Sequence, residues 1–156
     1  MEELTQALSQ ILTRDDRLVV VCGTNKKLRD RIVRSCAGRN LRVLGFTKRM
    51  DEYMDAADLI LTKGGGLTTT EVVNKHRPML LINVIPGLEE RNIRFMVSQG
   101  YAKTADTPEA LALLAGTLLR DDATLTKWRE TLARDFSGSA AAEIYGEICQ
   151  DLGVDA

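Results

Sequence analysis

The chain has 156 residues, 44% of them apolar and 28% charged, a size and balance that suit one globular domain with a sizeable core. Its formal net charge of −1 supplies no global field toward nucleic acid or an anionic membrane, and no apolar run approaches the length of a bilayer span. Cys22, Cys36 and Cys149 are odd in number and lack metal-ligand spacing, and Met1-Glu2-Glu3 is no signal-peptide start. Reduced thiols, a cytoplasmic location and no bound metal are the expectation.

In chain order, Leu4, Leu8, Ile11 and Leu12 recur at helical spacing, and a first helix is expected to end near Arg14. Arg17–Cys22 is a short β-branched run stopped by Gly23, which reads as a buried strand. A helix follows over Lys26–Ala37, closed by Gly38. Leu41–Phe46 reads as a second strand, Arg49–Ala57 as a short helix, and Asp58–Thr62 as a third strand running into Lys63-Gly64-Gly65-Gly66. Leu67–His76 is helical, Pro78–Val84 a fourth strand, Leu88–Gly100 a helix and Tyr101–Thr104 a short fifth strand. Three helices end the chain, Pro108–Leu119, Ala123–Phe136 and Ser139–Leu152, the first with Thr107 as N-cap, Pro108 at its first position and Glu109 in its first turn. Strands alternating with helices predict an α/β Rossmann-like domain over residues 1–156, its parallel sheet covered by helices on both faces and followed by a helical tail. Such sheets bind ligands beyond the carboxyl ends of their strands.

The segment after the third strand carries the clearest chemistry. Gly64, Gly65 and Gly66 precede a helix, so backbone N–H groups are free to converge without Cβ obstruction, and the helix beginning at Leu67 adds its positive end. A phosphate or diphosphate suits that arrangement, with hydroxyl donors from Thr68 and Thr69; a glycine turn with no ligand is the plainer alternative. Lys63 lacks Walker-loop spacing. Glu71, about one turn inside, is placed either to accept ribose hydroxyls or merely to favour the helix dipole. After the fourth strand, Glu89 and Asn92 share a helix face and would reach a polyhydroxylated ring or serve as routine capping. Cys22-Gly23-Thr24-Asn25 and the stretch Gly45-Phe46 to Met50 are weaker strand-end candidates, for a backbone and amide contact and for a base. His76 reads as a surface helix cap and Trp128 as core. No catalytic triad or acid/base carboxylate pair stands out.

The run Gly45-Phe46…Met50…Ala56-Ala57-Asp58-Leu59-Ile60-Leu61-Thr62-Lys63-Gly64-Gly65-Gly66-Leu67-Thr68…Glu71 resembles the C-terminal domain of GT-B glycosyltransferases. The relevant group holds bacterial diacylglycerol glucosyltransferases, plant monogalactosyldiacylglycerol synthases and the lipid II-forming GlcNAc transferase. Pro86-Gly87-Leu88-Glu89-Glu90-Arg91-Asn92 resembles their Pro-Gly-Gln-Glu-x-x-Asn element, and Val21–Leu28 their Cys-Gly-x-Asn-x-x-Leu strand end. The resemblance implies inverting transfer of a hexose from a UDP-sugar to a membrane lipid or lipid-linked acceptor, with no cofactor besides the donor. It assigns the nucleotide and diphosphate to Gly23, Asn25, Phe46, Met50, Gly64, Gly65, Gly66, Leu67, Thr68 and Glu71, and the donor sugar to Glu89, Glu90 and Asn92.

Two departures stand against the resemblance. Leu88 occupies the place of the glutamine that contacts the donor sugar. The chain also begins after the strand and glycine-rich loop that open the family's domain; in the order 3-2-1-4-5-6 that strand is central. The general base and acceptor site belong to an N-terminal domain absent here, so no catalytic residue is assigned and the chain alone is expected to be inactive. Its expected partner is that N-terminal acceptor domain or a separate membrane-associated subunit, which would bring it to the inner face of the membrane. A UDP-GlcNAc 2-epimerase-type enzyme and a non-catalytic nucleotide-binding subunit are the competing expectations.

Overall fold

A computed structural model describes residues 1–36, 40–82, 87, 89–138 and 140–154. Among these, eight helices alternate with five parallel strands. In order they are α1 (Glu2–Ile11), β1 (Leu18–Val21), α2 (Lys26–Ser35), β2 (Leu41–Leu44), α3 (Met50–Asp55), β3 (Ile60–Lys63) and α4 (Gly66–Asn74). There follow β4 (Met79–Ile82), α5 (Glu90–Ser98), β5 (Lys103–Thr104), α6 (Pro108–Leu118), α7 (Asp122–Asp135) and α8 (Ala140–Leu152). Every expected element is present, with ends shifted by up to three residues. The expected positions at Ala37, Gly38, Val84, Leu88 and Ser139 lie outside the described residues.

The sheet is not continuous. β1 pairs only with β2, and β3, β4 and β5 form a second block, with no pairing between β1 and β3 among the described residues. The break falls where the family order places its central strand. The expected α/β architecture of parallel strands flanked by helices is present, with its strands in two blocks. β4, flanked on both sides, has Met79, Leu80 and Leu81 fully buried. In β1, Val19 is 39% exposed and lies in register with exposed Arg42, whose guanidinium sits 5.9 Å over the Tyr53 ring.

Two apolar cores match the two blocks. α2 covers β1 and β2 through Ile32 and Cys36, which meet Val20 and Cys22. The larger core gathers β4 with Val72 and Val73 of α4, Ile93 and Met96 of α5, Leu111 and Ala115 of α6, and Trp128 and Leu132 of α7. α1 joins the blocks: it packs on both α6 and α2, and Leu18 beyond it touches both cores. Burying such side chains stabilises by about 1.5–3 kcal/mol each, so α1 is a principal tie across the gap.

A polar clasp reinforces it. Both Asp16 oxygens accept from Arg120 beyond α6, and Thr13 donates to Asp16 from its backbone and hydroxyl. The Arg120 hydrogen bond, opposed by desolvation, holds the Asp16 carboxyl below its ordinary range. A depressed carboxylate stabilises the fold above its unfolded pKa and loses that contribution as pH falls through the folded value. Asp16→Asn is therefore expected to lower the melting temperature at pH 7, with the gap to the parent closing toward pH 3. A pH-independent gap would assign the effect to packing instead.

His76 also departs from expectation. It is half-buried, adopts φ 52° at the end of α4, and places Nε2 3.2 Å from the Phe136 carbonyl, tying the ends of α4 and α7 together. Trp128 is core as expected, 6% exposed, with the Lys103 ammonium 5.5 Å over its ring. The three cysteines are buried and free. Burial pushes the Cys22 thiol up against a smaller opposing effect of Arg29, which keeps it unreactive.

Candidate nucleotide site

Within each block the parallel register brings the strand ends into line. Val21 aligns with Leu44, and Lys63 with Ile82. The loops after β1 and β2 touch: a Cβ on Gly45 would lie 3.6 Å from the Gly23 carbonyl oxygen. Gly23 takes φ +57°, which a side chain resists, and Asn25 then caps α2 by accepting from the Leu28 N–H at 3.0 Å. The Asn25 oxygen is thus committed to the helix. Phe46 follows as a 70% exposed ring, and Met50 opens α3 half-buried against the main core.

The glycine loop has a different reason at each position. None of Gly64, Gly65 and Gly66 has a positive φ, so backbone conformation does not require glycine there. A Cβ on Gly64 would fall 2.4 Å from Ile93 Cγ1, so this residue lets β3 meet α5. Gly65 is the N-cap of α4 with no side-chain cap bond, and a Cβ there would make ordinary contact with Glu89 Oε1 at 3.7 Å. Around Gly66 a Cβ would meet nothing within 4 Å. The first N–H groups of α4 have no side-chain cap and the helix dipole behind them, the makings of an anion cradle.

Around this cradle the expected residues divide. Leu67 is 87% exposed, Thr68 half-buried, and Glu71 exposed on the outer side of α4. Thr69 is 1% exposed, and its hydroxyl bonds the carbonyls of Gly65 and Gly66 at 3.0 and 3.1 Å. It is therefore removed as a phosphate donor. Its inward turn was legible: Thr69 lies three and four residues before Val72 and Val73, on the apolar face.

Asn92 donates from Nδ2 to the Gly64 carbonyl and, at 3.2 Å, to Thr69 Oγ1, so it braces the loop from α5. Glu89 is the N-cap position of α5 without a side-chain cap bond, and its Oε2 is buried with no partner among the described residues. A buried carboxylate oxygen left bare is costly unless something donates to it. Both residues come to the loop from the start of α5, Glu89 through Oε1 near Gly65 and Asn92 through Nδ2 on the Gly64 carbonyl, whereas Glu90 is exposed in the first turn of α5. The Ile85-Pro86 turn and Leu88 lie outside the described residues. No cluster of three or more metal-ligating side chains occurs among the described residues.

An uncapped, glycine-opened helix start beside polar side chains, at the carboxyl end of a parallel strand, belongs to an α/β domain with helices on a parallel sheet. Comparison with known proteins sharpens that class. Residues 2–144 match the glycosyltransferase family 28 C-terminal domain. The chain belongs to that family.

A processive diacylglycerol beta-glucosyltransferase of Staphylococcus aureus strain JH9 is 34% identical over 137 residues, 87% of this chain and 34% of the relative. The homologous enzyme of strain MRSA252 matches to the same extent. The chain thus spans about a third of the length of the curated relatives it matches. Among solved structures, Acinetobacter baumannii MurG superposes with a TM-score of 0.65 at 26% identity, over 84% of this chain and 40% of that one. The glycotransferase of kitacinnamycin gives 0.58 at 19% identity, over 92% and 38%, a likeness of fold.

Proposed function

We propose that this chain is the donor half of an inverting glycosyltransferase and holds a UDP-sugar for transfer to a membrane lipid or lipid-linked acceptor. The observation that carries the reading is the uncapped α4 N-terminus at Gly65-Gly66, beside the bare Glu89 oxygen. The diphosphate lies on the N–H groups of Gly66, Leu67 and Thr68, Glu71 accepts from the ribose, and the backbone between Phe46 and Met50 meets the base. Glu89 and the Asn92 carbonyl read the sugar hydroxyls, with Glu90 at the rim.

In direct displacement at the sugar carbon, negative charge grows on the departing diphosphate. The α4 dipole and N–H groups, fixed before reaction, stabilise that charge more in the transition state than in the bound donor. No residue of this chain takes the acceptor proton in this reading; the acceptor half supplies that base, on the same polypeptide or as a separate membrane-associated subunit. An exposed apolar helix face supports a partner half. Ile144, Tyr145, Ile148 and Leu152 of α8 are all at least 50% exposed. No helix among the described residues is long and apolar enough to cross a membrane, and a peripheral position at the cytoplasmic face follows from the acceptor.

Glu71 tests the nucleotide assignment because it is exposed and holds no ion pair among the described residues. Glu71→Ala is expected to weaken UDP binding by about 1–3 kcal/mol, the loss of hydrogen bonds to a charged acceptor, with unchanged thermal stability. Equal affinity measured by calorimetry would remove Glu71 from the ribose.

A further inference from the structure

The near-zero net charge conceals a segregation. Between Lys26 and Arg49 the sequence carries nine Lys and Arg and one acid, Asp30, whereas the whole chain has 21 basic and 22 acidic residues. The remainder is therefore strongly acidic. Half of α2, KKLRDRIVRS, is basic, and its Ile32 is buried against β1 and β2. Lys27, Arg31 and Arg34, spaced four and three apart, line the outward side and are exposed, with Lys26 beside them and Val33 50% exposed.

Folding does not account for this stripe. The first turn of α2 holds Lys26 and Lys27 and no acid, so two cations sit at the positive end of the helix dipole. Arg29 pairs with Asp30 and Arg31 with Glu2, but Lys26, Lys27 and Arg34 make no salt bridge among the described residues. Uncompensated cations kept against the local dipole suit an anionic surface.

We propose that the outer face of α2 docks on an anionic phospholipid bilayer. Clustered Lys and Arg are drawn to acidic headgroups within a Debye length, and Val33 gives the stripe a short apolar contact. α2 starts at the carboxyl end of β1, as α4 with its glycine loop starts at the carboxyl end of β3. Docking there sets the donor edge at the lipid–water boundary. This last consequence rests on the proposed transfer to a lipid; the docking itself does not. No aromatic side chain interleaves the stripe for base stacking, so a lipid surface is favoured over a nucleic acid.

The test is co-sedimentation of the full chain with phosphatidylcholine vesicles, with and without a third of phosphatidylglycerol, alongside a single-stranded RNA oligonucleotide. Binding is expected only to the anionic vesicles and is expected to fall steeply with salt. The variant Lys26→Gln/Lys27→Gln/Arg34→Gln is expected to lower partitioning about a hundredfold, near fivefold per charge. Removing cations from the first turn relieves the dipole, so the variant folds, as circular dichroism will report. Equal binding to both vesicle types, undiminished binding by the variant, or binding to RNA alone would overturn the proposal. UDP titration of the same samples separates the two readings: vesicle binding without UDP binding sinks the donor site and leaves the docking face standing.

Discussion

Gly66→Asp is expected to abolish UDP binding without harming the fold. A side chain at this position meets nothing within 4 Å, so no clash arises. A carboxylate at the first position of α4 favours the helix dipole by about 0.3–1 kcal/mol, so the melting temperature should hold or rise slightly. The same carboxylate occupies the anion cradle. Two unit charges about 4 Å apart repel by about 4 kcal/mol at an effective dielectric of 20, which is roughly a thousandfold in affinity. Stability and binding move in opposite directions, which a merely structural glycine would not produce. Retained UDP affinity in calorimetry would place the diphosphate elsewhere.

Two residues earlier, the same kind of substitution is expected to act through the fold. In Gly64→Ala the new Cβ would lie 2.4 Å from Ile93 Cγ1 and 2.9 Å from Cδ1, closer than real contacts permit. Overpacking of this kind costs about 1–3 kcal/mol, or roughly 2–12 °C in melting temperature for a domain of this size. UDP binding should weaken as well, because α5 carries Asn92, whose amide braces the Gly64 carbonyl. Pairing the change with Ile93→Ala removes the clashing atoms, so the double variant should be more stable than the sum of the single losses. Strict additivity, measured by denaturant unfolding, would mean that Gly64 and Ile93 do not meet as described.

The pair explains why the glycine triplet reads so well in sequence and so incompletely. Three glycines between a strand and a helix announce a close approach, but not of what to what. Gly64 answers to Ile93, 29 positions along the chain and on another helix, while Gly66 answers to open space. Periodicity and turn residues located every strand and helix because those signals are local, as with Thr107 before Pro108 and the run Met79–Ile82. The break between β1 and β3 came from the order of the family's strands, since no local pattern in either strand announces an unpaired edge.

Side-chain commitments were the least legible part of the site. Asn25 and Asn92 were expected as ligand contacts, and each proves to spend one polar atom on the fold, on the Leu28 N–H and on the Gly64 carbonyl. Glu89 was equally open to capping; the structure instead leaves its Oε2 bare beside the cradle. The basic face of α2 was hidden by a different means. A net charge of −1 averages over the chain, while a surface responds to the charges within about a Debye length of it.

The central claim is that α4 and its glycine loop form a uridine diphosphate site, and calorimetric titration of the chain with UDP, against ADP, tests it most directly. Saturable binding of UDP, at least about tenfold tighter than ADP and lost in Gly66→Asp, is the predicted result; ten in affinity corresponds to about 1.4 kcal/mol of base discrimination. A folded chain that binds neither nucleotide, or both equally with Gly66→Asp unchanged, would contradict it.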